Sequence, residues 1–143
     1  MYKKVDLQYI FSYSGLIPFF IFKIDKFFLL KIKEEISINF LIYYTVIILV
    51  FIGSVNWNFN IKVRNNIIIH GFFPSFVALI IIILNLYHFN ASYLIISLAF
   101  FLLIQLIFDY YLIFSDTNKS VFFFLRLPLT LIIIISLLII IFW

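Results

Sequence analysis

Cysteine is absent from the chain. That excludes disulfides, thiolate metal sites and cysteine nucleophiles. Charge is scarce as well. Asp, Glu, Lys and Arg make up 11% of the residues, against about a quarter in an ordinary soluble domain. So little polar surface cannot wrap a water-soluble core. Three glycines and three prolines punctuate 143 residues. There is no glycine-rich phosphate loop and no linker long enough to separate a second domain. The formal net charge is +4, but no basic block is long enough to suggest a nucleic-acid partner.

Apolar residues make up 66% of the chain, and its mean hydropathy is +1.25. Lipid is the natural solvent for such side chains. A backbone in lipid must satisfy its own hydrogen bonds, which leaves helices or closed barrels. The apolar runs are continuous and lack period-2 alternation, so helices are expected. A span needs roughly 20 apolar residues. The sequence therefore predicts an all-α fold, a five-helix polytopic transmembrane bundle in one domain over 1–143. The spans fall at about 7–29, 36–57, 67–87, 93–114 and 121–143. Short connections make neighbouring helices antiparallel. Lys23, Asp25 and Lys26 interrupt the first span; snorkelling lysines allow it to continue as a helix. No small-x-small cleavage site follows it, so it is read as a retained helix.

Two charged residues, Asp109 and Arg126, lie within the last two apolar runs. Folding the chain back at the polar stretch 115–120 sets them opposite one another, with Gln105 and Thr130 opposite one helical turn deeper. An unpaired charge in lipid is costly, so the arrangement predicts an intramembrane ion pair. Gln105 shares a helix face with Asp109, as Thr130 does with Arg126, each pair being four residues apart. Antiparallel threading brings His70, Asn56 and Trp57 into the same half of the membrane. Asp109, Arg126, Gln105, Thr130, His70, Asn56 and Trp57 thus form a candidate polar layer. The pair either locks two helices together or serves a ligand or proton directly. A third possibility is that Arg126 snorkels to headgroups and leaves Asp109 neutral.

No metal or cofactor site is expected. The two histidines are 18 residues apart on one helix, or about 27 Å at the helical rise. No HExxH motif or carboxylate pair appears, so an enzyme is not expected. Lysines and arginines set the orientation. Lys3, Lys4, Lys62, Arg64 and Lys119 fall on the N-terminal side, against Lys23, Lys26, Lys31 and Lys33 on the other. The bias puts the N-terminus in the cytoplasm or matrix. Heavy use of Ile, Phe, Asn, Lys and Tyr fits an AT-rich genome, bacterial or organellar.

Several segments resemble a known family. Residues 12–20, SYSGLIPFF, look like an opening of the Gly-Tyr-x-Gly-Leu-x-Pro-Phe type. Residues 51–58, FIGSVNWN, are similar to a Phe-x-Gly-Gly-x-His-Trp-Gly signature. Residues 70–79, HGFFPSFVAL, partly match a Ser-x-x-Pro-Ser-x-x-x-Trp region. LIFDY at 106–110 and LRLPLT at 125–130 resemble an Asp-bearing fourth span and a Leu-Arg-x-x-Leu-Thr fifth span. The family is the bacterial and mitochondrial one related to transmembrane protein 69. Ser54, Asn56, Asn58, Gly71 and Leu79 depart from its pattern. The resemblance implies a five-span protein of a bacterial or mitochondrial inner membrane without an assigned activity. Small size and large apolar bulk lead to the expectation of a non-catalytic structural, accessory or assembly component of a membrane complex, with a respiratory complex the first candidate. Its partners would be lipids and other integral membrane subunits. The alternative is a small-molecule, quinone or lipid-binding or transport protein that uses Asp109 and Arg126.

Overall fold

The computed structural model describes residues 7–29, 32–54, 65–113 and 122–142, and within them the side chains of 7–9, 65–67, 112, 113 and 142 are not described. The elements are α1 (Leu7–Ser14), α2 (Ile17–Ile24) and a π-helical turn (Asp25–Leu29), followed by α3 (Glu34–Ser54), α4 (Asn65–Leu86) and α5 (Ala91–Ile113). A second π-helical turn (Phe122–Arg126) leads into α6 (Leu127–Phe142). Among the described residues there is no strand. Four helical stretches among the described residues are long and apolar enough to cross a membrane: Glu34–Ser54, Ile68–Leu86, Ala91–Tyr111 and Phe122–Ile141. They mark the chain as an integral membrane protein. Each is 19 to 21 residues long, close to 30 Å at the helical rise and so matched to the hydrocarbon thickness.

The first predicted span, 7–29, is not one continuous helix. Gly15 and Leu16 form a turn between α1 and α2. Pro18, in the first turn of α2, has no N–H to offer the Ser14 carbonyl and cannot extend α1 in regular geometry. The Gly15 carbonyl exposed by the break accepts a hydrogen bond from the Tyr44 hydroxyl of α3 at 2.8 Å. Beyond α2 the π-helical turn carries Asp25, which is buried. One of its carboxylate oxygens accepts the Ile32 N–H at 3.0 Å.

Other ends differ from the predicted ones by a few residues, for local reasons. Glu34 and Glu35 open α3 two residues early, where negative charge favours a helix N-terminus. The Asn90 side chain accepts the Ser92 N–H at 2.9 Å and so starts α5 at Ala91 rather than Tyr93. α4 closes with a Schellman arrangement: Phe89 N–H to the Leu84 carbonyl and His88 N–H to the Asn85 carbonyl, both at 3.0 Å. His88 takes the left-handed conformation this needs, with φ 57°, a position that usually holds glycine.

α3 packs broadly on α4 and also meets α5, which lies against α4 and α6; α2 reaches α3 and α6. Phe19, Ile42, Leu98 and Leu137 are fully buried at the centre of the core. Lipid is as apolar as these side chains, so close packing must hold the helices together. Gly53 lets α3 approach α4 closely. A Cβ there would sit 2.7 Å from Pro74 Cγ and 2.9 Å from the Gly71 carbonyl oxygen. Phe51, Phe72, Phe100 and Ile135 face outward, as lipid-facing side chains do.

Candidate functional site

α4, α5 and the second π-helical turn bring four polar side chains together near one end of the bundle. Arg126 approaches Asp109 side-on. Its Nε lies 2.7 Å from Oδ2 and its Nη2 2.5 Å from the same oxygen. Oδ1 of Asp109 faces His70 Nε2 at 3.5 Å. The same histidine nitrogen lies 3.0 Å from Gln105 Nε2. Gln105 is 2% exposed, Asp109 4% and His70 8%. The His70 ring also packs on Phe108, centroid to centroid at 4.8 Å.

The i, i+4 spacing on α5 explains why Gln105 and Asp109 meet the same histidine. Two arrangements satisfy the contact between Gln105 and His70. In one, the Gln105 amide donates to a neutral His70 protonated on Nδ1. In the other, the amide is turned over and its oxygen accepts from Nε2–H, which then faces Asp109 as well. Only the second gives His70 a donor towards Asp109, and so couples α4 to the ion pair between α5 and Arg126.

Arg126 sits where the second π-helical turn meets α6. Pro128, two residues on, has no N–H for the carbonyl of Phe124. The Tyr13 hydroxyl of α1 supplies the missing donor to that carbonyl at 2.9 Å. Thr130 is buried, and its hydroxyl bonds the Arg126 carbonyl at 2.9 Å. Gln105 is hydrogen-bonded to His70 rather than to Thr130, although the symmetry of the last two spans sets Thr130 opposite it. Asn56 and Trp57 lie outside the described residues, as does the predicted turn at 115–120.

Gln105 is closely packed on the side that faces α3. The crevice beside Gln105, lined by Leu49, Phe73, Pro74 and Val77, has no room for a water molecule. Among the described residues, no buried side-chain nitrogen or oxygen lacks a partner, and no three His, Cys, Asp or Glu side chains gather in a metal-binding cluster. A separate recess of about 230 Å³ opens at the opposite end, beside Lys26 and Glu34. It is a tertiary feature that no sequence motif announces.

A family model described as "Protein of unknown function (DUF3429)" matches residues 6–142. The chain belongs to this uncharacterised family. The match spans all six helices and includes Asp109 and Arg126. It establishes no narrower kinship with transmembrane protein 69. No curated protein and no solved structure matches the chain.

Proposed function

We propose that this DUF3429 member is a five-span protein of a bacterial or mitochondrial inner membrane. In this reading it is a non-catalytic structural, accessory or assembly component of a larger membrane complex, with a respiratory complex the first candidate. The broken segment of α1, α2 and the π-helical turn serves as the fifth span, and the lysine and arginine bias sets the N-terminus in the cytoplasm or matrix. The observation that carries the reading is the closed polar cluster. His70, Gln105, Asp109 and Arg126 contact one another in a chain of hydrogen bonds and ion pairs, and the crevice beside Gln105 admits no water. Such a cluster fixes the mutual register of α4, α5 and α6. The rival reading, a quinone or other small molecule at Asp109 and Arg126, would have to displace a pairing that these two side chains already make with each other.

The test is solubilisation of the native membrane in mild detergent followed by native electrophoresis. Co-migration with a larger assembly is expected. A monomeric species in every detergent tried would overturn the proposal.

A further inference from the structure

The recess at the other end of the bundle lies where α3 begins, α5 begins and α6 ends. Those helix ends put it at headgroup depth, on the face opposite the Asp109–Arg126 pair. Its volume of about 230 Å³ falls below the range of about 300–1,000 Å³ usual for drug-sized ligands. It suits a lipid headgroup better than a whole metabolite. Ile38, Ile95 and Ile140 form an apolar wall, and Lys26, Glu34 and Ser92 supply the polar groups.

Lys26 Nζ lies 3.2 Å from Glu34 Oε1 and 3.3 Å from the Ile140 carbonyl oxygen. An ammonium has three donors, so one remains for a ligand. Glu34 is 69% exposed, and an ion pair so exposed is weak and readily exchanged. A phosphate can therefore replace Glu34 at Lys26. The freed carboxylate stays close to that phosphate, where a purely anionic headgroup would be repelled and a cationic group favoured. A primary amine is such a group and brings N–H donors for Glu34 and the Ser92 hydroxyl, whereas a quaternary ammonium has none. The carbonyl end of α6 is also the negative pole of that helix and favours the amine.

We propose that this recess binds the zwitterionic headgroup of a phosphate–primary-amine lipid, of the phosphatidylethanolamine type. Its phosphate pairs with Lys26 and its amine with Glu34. The proposal does not rest on the assembly reading, because it uses a different end of the bundle.

The test is native mass spectrometry of the purified full chain in detergent with equal amounts of dioleoyl-phosphatidylethanolamine, -phosphatidylcholine and -phosphatidylglycerol. Preferential retention of the ethanolamine lipid is expected. Lys26→Gln removes one charge-assisted contact and should weaken that retention by about tenfold. Glu34→Gln should erase the preference for ethanolamine over choline. Ile95→Trp fills the recess without touching its charges and should exclude the lipid. If that variant fails to fold, the two surface variants still decide. Equal retention of the three lipids, a preference for the glycerol lipid, or parent-like retention by Lys26→Gln would overturn the proposal. Equally tight binding of soluble phosphoethanolamine would overturn the lipid assignment.

Discussion

Two nitrogens of Arg126 converge on one carboxylate oxygen of Asp109, while the other carboxylate oxygen faces His70. One carboxylate thereby ties the second π-helical turn, which leads into α6, to α5 and turns towards α4. The two partners are not equally sheltered: side-chain exposure is 18% for Arg126 and 5% for Asp109. Loss of the arginine strands the deeper charge. Arg126→Gln is therefore expected to destabilise by about 3–5 kcal/mol, the range for breaking a buried pair. Asp109→Asn should destabilise less, because Arg126 can reach outward. Chemical unfolding in detergent checks the order; the reverse order would contradict it.

Tyr13 and Pro128 form a second testable unit. The Tyr13 hydroxyl bonds the Phe124 carbonyl that Pro128 cannot serve. Tyr13→Phe should destabilise by about 1 kcal/mol. In a Pro128→Ala background the new N–H can serve that carbonyl, so the same substitution should matter less. A double-mutant cycle measures the difference, and strict additivity would show the two residues to be independent.

Gly53 is held to its size by Pro74 and the Gly71 backbone. Gly53→Ala should destabilise by about 1–3 kcal/mol through overpacking of α3 against α4. At Gly15 the nearest contact of an added Cβ is 3.2 Å, to the Ser12 carbonyl oxygen, so alanine should be tolerated better there. Thermal unfolding of the two variants side by side is the check; equal losses would argue against this packing.

His88 occupies the left-handed position of the α4 C-terminus. A non-glycine residue there bears a penalty of about 1–2 kcal/mol. His88→Gly should relieve part of it and raise the unfolding temperature. A lowered temperature would mean that the His88 side chain contributes more than its backbone strain removes.

Much of this was legible in the chain itself. Long apolar runs mark α3 to α6, and the mirror-image positions of Asp109 and Arg126 foretell their ion pair. The shared face of Gln105 and Asp109 follows from their spacing. Their joint contact with His70 depends on how α4 and α5 align, which periodicity does not specify. Gly15 and Pro18 advertise a break, yet the apolar character of 7–29 reads as one span because composition hides the turn. The recess beside Lys26 is invisible in sequence because residues from α3, α5 and α6 and the π-helical turn meet there only after assembly. The face of Thr130 likewise follows from i, i+4 spacing, but its partner does not: its hydroxyl bonds the Arg126 carbonyl one turn earlier.

The closed cluster as a helix lock is tested most directly by charge exchange. Unfolding in detergent should be measured for Asp109→Arg, Arg126→Asp and the double variant that carries both. A lock predicts that the double variant is more stable than either single variant and still enters the same native assembly. Losses that simply add in the double variant would contradict the lock, and recovered stability without assembly would assign the pair to a binding site.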